Sequence, residues 1–265
     1  MERDNKAKSI GATIKRLPGQ ALREEREKLV DSLINEPAML MFAGWIVLGI
    51  ECLHVFAKTQ PSIWIGIPIA LGTTFYAVRK MLRAKRELRN YRRGEEGERI
   101  VAQAIELNLI PKGYVAFHDI QLEKDGKRSN IDHLIVGGNG IFAIETKHYK
   151  KPDNRSPEVR YDGKKILWAG VEHLKNGESE IDMAVRHARD AKALIDELTG
   201  LNVFVQPVLC AVGWCAKSTN LYGHQVLLVM EKTLGTTIPK VPPKVQFSEV
   251  DRNRVIAALK RDAQG

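Results

Sequence analysis

A run of twenty residues, AMLMFAGWIVLGIECLHVFA from Ala38 to Ala57, carries only two ionisable side chains, Glu51 and His54. At ~1.5 Å per residue, a helix of this length crosses a hydrocarbon core about 30 Å thick. Glu51 and His54 lie in the last turns of the run, three residues apart on one helical face, where both can reach water at the interface. The run therefore predicts a membrane-spanning helix, with a buried helix of a soluble core as the alternative.

A second apolar run, IWIGIPIALGTTFYAV from Ile63 to Val78, follows after the short polar stretch Lys58–Pro61. Lys and Arg are frequent before the first run, from Lys6 to Lys28, and after the second, from Arg79 to Arg93. Basic residues on both flanks predict a transmembrane hairpin over residues 38–78 with both termini cytoplasmic. A cleaved signal peptide is disfavoured because the apolar run begins too far into the chain. We therefore expect a multi-pass protein of a bacterial-type inner (plasma) membrane.

The net charge of +9 is distributed unevenly along the 265 residues. Residues 1–93 carry 17 Lys and Arg against 9 Asp and Glu, whereas residues 94–265 carry 24 against 23. The basic excess thus belongs to the N-terminal third, where membrane topology and anionic lipid headgroups explain it better than nucleic acid does. Three cysteines without a CxxC pair exclude a disulfide framework and make structural zinc unexpected.

The chain is predicted to have four parts. Residues 1–37 form a cytoplasmic N-terminal amphipathic segment, in which a helix over residues 20–36 lies against the membrane or pairs with another copy. Residues 38–78 form the transmembrane hairpin, and residues 79–93 form a basic juxtamembrane linker. Residues 94–265 form a soluble domain.

The soluble domain alternates helical and strand patterns, which predicts an α/β fold. Helices are expected at 95–108, at 178–198 with a stop at Gly200, and from Ser248 to about Lys260. Strands are expected at 114–121, 130–136, 141–147, 203–212 and 226–230, with a small hairpin at 158–161 and 165–168.

The sequence Gly137-Gly138-Asn139-Gly140 separates two of these strands and predicts a tight hairpin turn. In the register that this turn sets, cross-strand partners have numbers adding to 277, so Asp132 lies opposite Glu145. Lys147 lies on the same face, because strand residues two apart share a face. Two carboxylates and one ammonium group are therefore expected together at the ends of adjacent strands.

Opposed carboxylates repel each other, and a divalent cation between them removes that cost. An ammonium group beside the cation can orient a water molecule or neutralise charge that develops on a phosphate. The pattern is therefore consistent with metal-dependent hydrolysis of phosphodiesters. A strand-end salt bridge between Lys147 and Glu145 without catalysis is the alternative.

Asp132 followed by Glu145-Thr146-Lys147 resembles the D…(D/E)xK signature of the PD-(D/E)XK nuclease superfamily. The surrounding stretches GEEGERI, HDI, NIDHLIV and GIFAIETKHY are similar to the nuclease-related domain (NERD) family, over roughly residues 94–215. The resemblance implies a restriction-endonuclease-like core, a central mixed sheet flanked by helices, here preceded by two transmembrane helices.

The resemblance also implies roles for individual residues. Asp132 and Glu145 would be metal ligands, with the carbonyl of Thr146 as a third, and Lys147 would be the catalytic lysine. Glu98 would add a carboxylate from the first helix, although an acid near a helix start also complements the helix dipole.

Two positions depart from the family pattern. Where related domains often carry Gln in the long helix, this chain has Arg186 or His187, and His148 follows the lysine in place of Asn. Arg186 and His148 are accordingly candidates for contacts with substrate phosphates.

The leading hypothesis is a membrane-anchored, cytoplasm-facing nuclease that depends on Mg²⁺, with Mn²⁺ as a possible substitute. Its substrate is nucleic acid, with DNA favoured over RNA. The alternative is a catalytically inactive nuclease-like domain that binds nucleic acid or protein at the membrane, which the near-neutral charge of residues 94–265 favours. A membrane scaffold whose soluble domain mediates assembly is a third hypothesis.

Overall fold

The computed structural model describes residues 11–13, 16–57, 63–124, 127–154, 156–175 and 177–262. The chain divides into a helical unit, Ala21–Arg93, and an α/β unit made of Met1–Gln20 together with Gly94–Gly265. The helical unit is therefore inserted between two parts of the α/β unit. The predicted polar connection Lys58–Pro61 lies outside the described residues.

The helical unit is built from long helices. Helix α1 (Gln20–Val30) continues through a π-helical turn (Asp31–Asn35) into α2 (Glu36–Phe56), and α3 (Ile63–Asn108) begins in this unit. Helices α2 and α3 pack antiparallel, with Trp45 Nε1 donating to Thr74 Oγ1 at 3.0 Å. Gly44 faces Thr73, where an added Cβ would lie 2.3 Å from Oγ1. Small residues thus allow close approach of the two helices.

One helix among the described residues, Gln20–Phe56, is long and apolar enough to cross a membrane, judged by length and composition. It contains most of the first predicted span. The second predicted span, 63–78, is corrected: it is the beginning of the 46-residue helix α3 and is not a second candidate. The physical reason is that Arg79 and Lys80 follow after only sixteen apolar residues. The expected pair of transmembrane helices and the multi-pass topology are therefore not supported.

The α/β unit contains a six-stranded mixed sheet. Its strands, in their order across the sheet, are β1 (Gly11–Thr13), β2 (Val115–Lys124), β3 (Lys127–Gly137), β4 (Gly140–Lys147), β9 (Val205–Ala211) and β11 (Leu227–Val229). Neighbours from β1 to β4 are antiparallel, and β4, β9 and β11 are parallel. The expected α/β class with a central mixed sheet is confirmed.

Smaller elements surround this sheet. They are β5 (Glu158–Tyr161), β6 (Ile166–Trp168), β7 (Leu174–Lys175), β8 (Glu178–Ser179), α4 (Glu180–Thr199), β10 (Cys215–Ser218), α5 (Leu234–Thr237) and α6 (Glu249–Asp262). Strands β10, β5 and β6 form a three-stranded sheet, and β7 pairs with β8. Helix α4 begins at the cap Ser179, whose hydroxyl accepts from the N–H of Asp182, and ends at the left-handed Gly200.

Helices cover both faces of the large sheet, because alternate strand residues point to opposite sides. Leu134 and Ala143 pack with α4 and α6 in one core cluster. Ile135 and Ile144 pack with Val101 of α3 in the other. The carboxyl ends of β4 and β9 therefore emerge between a layer that contains α3 and a layer that contains α4.

The expected helices and strands are present, with ends shifted by a few residues. The helix expected from residue 95 instead begins at Ile63, because no proline lies between the apolar run and the soluble domain to end the helix. Strands β1, β7, β8 and β10 were not expected, because strands of two to four residues leave little periodicity to detect.

Candidate active site

The turn at 137–140 sets the register of β3 and β4 as expected, with Gly137 opposite Gly140. The ladder ends at the pair His133 and Ile144. Asp132 and Glu145 are the next residues on their strands, so both side chains lie where β3 and β4 stop pairing. The hairpin therefore places the two carboxylates where β3 and β4 separate from each other, although both strands continue to pair with their other neighbours.

Asp132 is held against the backbone of the neighbouring strand. Its Oδ2 accepts from the N–H of Thr146 at 2.7 Å. Burial, followed by the nearby charges of Glu145 and Glu98, raises the pKa of Asp132 well above its ordinary value. The Thr146 hydroxyl is buried with no hydrogen-bond partner among the described residues.

Glu145 is paired with two cationic partners. Lys147 Nζ donates to Oε1 at 2.6 Å, and His187 Nδ1 lies 2.6 Å from Oε2. Burial alone would raise the pKa of Glu145, but the two partners hold it below the ordinary value. Burial likewise opposes ionisation of Lys147, yet the Glu145 carboxylate raises the lysine pKa above its usual value. Lys147 is therefore an ammonium ion at neutral pH, and His187 is shifted toward its protonated form.

Glu98 reaches the site from the opposite layer. It lies one turn before Val101 on α3, which packs against the sheet. Its carboxylate is almost fully buried, and Oε2 has no hydrogen-bond partner among the described residues. Burial, and then the charges of Asp119 and Glu145, raise the pKa of Glu98 to about 8. Glu98 can therefore exchange a proton near neutral pH.

Asp119 is a fourth buried carboxylate, which sequence reasoning did not identify. Strands β2 and β3 pair on both sides of Asp119 but not at Asp119 itself, where φ is +51°. In a regular strand, residues three apart point to opposite faces. The irregularity at Asp119 instead brings Phe117 and Ile120 into the same core cluster. The Asp119 side chain is fully buried, and its Oδ2 accepts from Arg16 Nε at 2.8 Å.

These four side chains, none more than 8% exposed, form the carboxylate cluster: Glu98, Asp119, Asp132 and Glu145. As placed, no group of three His, Cys, Asp or Glu side chains within the described residues has the geometry of a metal site. The donor chemistry nevertheless fits Mg²⁺, which prefers carboxylate oxygens. Burial, followed by the charges of neighbouring carboxylates, raises the pKa values of Glu98 and Asp132. The Oε2 atom of Glu98, which lacks a hydrogen-bond partner in the described part of the chain, is an oxygen donor available to a cation.

Arg186 does not join this cluster. Its guanidinium forms a bidentate pair with Glu178, with distances of 2.9 and 3.1 Å from Nε and Nη2 to the two carboxylate oxygens. The adjacent His187 is the α4 side chain that enters the site. The apolar spacing of α4 contained this signal, because residue 187 lies three after Ala184 and four before Ala191, both buried.

His148 packs toward α3. A Cβ added to Gly97 would lie 2.7 Å from the Cβ of His148, so glycine at 97 makes room for this side chain. His148 is half-buried, just beyond the end of β4. Its place is therefore beside the helix that carries Glu98, while Lys147 points to α4.

Other contacts complete the α4 side of the site. The hydroxyl of Tyr149 donates to Glu180 Oε1 at 2.9 Å, and burial followed by the charge of Glu180 raises the pKa of Tyr149. Lys147 Nζ lies 3.3 Å from Met183 Sδ. These contacts fix the lysine stem between β4 and the first turns of α4, and sequence reasoning did not identify them.

Residues 93–212 match the nuclease-related domain (NERD) family. The matched stretch contains Glu98, Asp132, Glu145 and Lys147, and it confirms the resemblance inferred from the sequence. An uncharacterized protein of Bacillus anthracis is 32% identical over 59 residues. That alignment covers 22% of this chain and 27% of the relative, so the chain matches about a quarter of the relative's length.

Proposed function

Because residues 93–212 match the nuclease-related domain, we propose that the protein is a membrane-attached, divalent-metal-dependent nuclease with a restriction-endonuclease-like core. It hydrolyses phosphodiester bonds of nucleic acid, with DNA favoured over RNA. The observation that carries the proposal is the convergence of Asp132, Glu145 and Lys147 where β3 and β4 stop pairing with each other, with Lys147 charged.

The proposed metal ligands are Asp132, Glu145 and the carbonyl oxygen of Thr146, and Mg²⁺ or Mn²⁺ is the proposed ion. When bound, such an ion supplies a Lewis acid that polarises the phosphate and lowers the pKa of a bound water. The ion pairs that Glu145 makes with Lys147 and His187 set the orientation of its carboxylate.

The protein's own groups account for the charge and the proton in this reaction. The Lys147 ammonium neutralises negative charge that develops on the phosphate oxygens as water attacks phosphorus. The carboxylate of Glu98, with a pKa of about 8, accepts the proton of that water. A new oxygen–phosphorus bond forms, the ester bond breaks, and the leaving oxygen takes a proton from solvent.

We assign membrane attachment to the helix Gln20–Phe56. Core helices of soluble proteins are mostly buried, whereas this helix exposes large apolar side chains, including Met39, Phe42 and Phe56. The residues that follow in α3, 79–93, lead directly into the α/β unit. The basic stretch 79–93 favours the cytoplasmic side.

The alternative is a nuclease-like domain that binds nucleic acid without cutting it. The near-neutral charge of residues 94–265 supports it, because a polyanion is held mainly by Lys and Arg. The two functions differ in whether bound nucleic acid is cleaved when a divalent metal is added.

The test uses the full-length protein, purified in detergent, with plasmid DNA, single-stranded DNA and RNA. We expect cleavage with Mg²⁺ or Mn²⁺, none with EDTA, and at least a hundredfold slower cleavage by Asp132→Asn, on the order of the loss when one electrostatic group is removed. Asp153→Asn, an exposed carboxylate paired only with Lys150 in the described contacts, is the matched control and should cut normally.

Fluorescence anisotropy with labelled oligonucleotides identifies the alternative. Salt-sensitive binding without cleavage under any metal would replace the nuclease proposal with a binding function. Equal cleavage by Asp132→Asn and the unmodified protein would show that the carboxylate cluster takes no part in the reaction.

A further inference from the structure

The segment that precedes the apolar helix is part of the α/β unit. Strand β1 pairs antiparallel with β2, with Gly11, Ala12 and Thr13 opposite Glu123, Leu122 and Gln121. The chain then reaches the carboxylate cluster with Arg16–Gly19. We call β1 together with Arg16–Gly19 the N-terminal segment. It lies outside the stretch that matches the nuclease-related domain.

Arg16 forms a buried ion pair with Asp119. The Nε–Oδ2 distance is 2.8 Å, and the two side chains are 10% and 0% exposed. The charge of Asp119 acts on Glu98, since it is among the causes that disfavour ionisation of that carboxyl. Removing one partner of a buried pair leaves an uncompensated charge. Without Arg16, the negative charge of Asp119 would therefore act more strongly on Glu98.

Gly19 contacts α3, the helix that carries Glu98. Its N–H hydrogen bonds to the carboxylate of Glu98. Gly19 is buried with φ of +75°, and a Cβ here would lie 3.1 Å from Cγ and 3.3 Å from Cα of Glu95. Glycine is required both by the left-handed backbone and by this close approach. The N-terminal segment thus contacts both Asp119 and Glu98.

We propose that Arg16 and Gly19 are positioning residues for the Glu98 carboxylate, so that the N-terminal segment completes the nuclease site. Arg16 neutralises Asp119, and the Gly19 N–H fixes the direction of the Glu98 carboxylate. This inference rests on the proposed nuclease function. It adds that the segment before the apolar helix belongs to the catalytic unit, although more than seventy residues separate it from Gly94 in the chain.

The test compares Arg16→Ala and Arg16→Lys in the full-length protein in detergent. Arg128→Ala is the matched control, because Arg128 pairs with Glu123 on the same β2–β3 hairpin but is solvent-exposed. With saturating Mg²⁺, we expect Arg16→Ala to lower kcat by about tenfold to a hundredfold with KM little changed, the order of loss that a ~1 Å misplacement causes. Arg16→Lys should recover part of kcat, and Arg128→Ala should leave it unchanged.

Hydrogen exchange provides a readout that does not require cleavage. In Arg16→Ala, peptides covering 94–101 should exchange faster, whereas those of β9 should not. Gly19→Ala should give the same local change without altering any charge, which keeps the test informative if Arg16→Ala folds poorly. No cleavage by the unmodified protein would count against the nuclease function alone. Unchanged exchange at 94–101 in both variants, or a wild-type kcat in Arg16→Ala, would overturn the positioning role.

Discussion

Glu98 makes the stability of the metal-free protein depend on pH. Its pKa is about 8 in the folded protein, above the ordinary value of 4.5, chiefly because it is buried. A carboxyl with a raised pKa stabilises the fold fully below its unfolded pKa and loses that contribution as pH rises through the folded pKa. The free energy of unfolding should therefore fall between about pH 5 and pH 9 in EDTA.

Glu98→Gln should reduce the change in unfolding free energy over this pH range by a few kcal/mol, since each unit of pKa shift corresponds to about 1.4 kcal/mol. A remaining slope is expected, because the pKa of Asp132 is also raised. Urea titrations followed by tryptophan fluorescence measure the effect, since Trp168 and Trp214 are buried in the α/β unit. An unchanged slope in Glu98→Gln would contradict the assignment.

At the residue scale, the sequence correctly predicted which side chains the β3–β4 hairpin brings together. The turn at 137–140 fixes the register, and the register brings Asp132, Glu145 and Lys147 together. The contact between Arg16 and Asp119 was not predictable from the sequence. It joins residues 103 positions apart and needs a left-handed backbone at Asp119, which is not a glycine. Local patterns do not encode such a contact.

At the element scale, the packing of the part of α3 that carries Glu98 depends on Gly97. A side chain at 97 would meet the Cβ of His148 at 2.7 Å, which rotation of the imidazole cannot relieve. Gly97→Ala should therefore destabilise the α/β unit by about 1–3 kcal/mol, despite the higher helix propensity of alanine. It should also slow cleavage, because Glu98 is the next residue.

Gly138→Ala is the matched control for this prediction. The nearest atom to a Cβ at 138 is Arg252 Nη1 at 3.8 Å, an ordinary contact. Unfolding free energies and cleavage rates of the two variants should differ clearly. If Gly97→Ala proves as stable and active as Gly138→Ala, α3 and His148 do not pack as described.

The ends of helices were predictable where the sequence carries a capping residue at the start or a glycine at the end. Gly200 ends α4 in the left-handed conformation, and Ser248 accepts from the N–H of Asp251 at the start of α6, as the sequence predicts. The continuity of α3 across Arg93 and Gly94 was not predictable, because charge and composition change there and glycine is a weak helix former.

At the scale of the whole molecule, the α/β unit is formed from two separate parts of the chain. Gly19 and Glu95 are adjacent, so a short Gly-Ser linker can join Gln20 to Gly94 in place of residues 21–93. We expect this shortened chain to leave the membrane fraction and keep its cleavage activity. A chain that begins at Gly94 should be less stable, because it lacks β1 and the Arg16–Asp119 pair.

Carbonate extraction measures membrane association, and thermal melting measures stability, for the full-length protein, the linked chain and the chain that begins at Gly94. Retention of the linked chain in the membrane fraction would show that residues 21–93 are not the anchor. Equal melting temperatures of the linked chain and the chain beginning at Gly94 would show that the N-terminal segment contributes nothing to the fold.

The central claim is that a charged lysine beside a carboxylate-held metal cleaves phosphodiesters. The most direct test is the single-turnover rate of DNA cleavage by the full-length protein as a function of Mg²⁺ concentration, with and without Lys147→Met. We predict saturable dependence on Mg²⁺, and a maximal rate lowered about a hundredfold to a thousandfold in Lys147→Met, as when one stabilising donor is lost. Cleavage that needs no divalent ion, or a Lys147→Met protein that cuts at the wild-type rate, would contradict it.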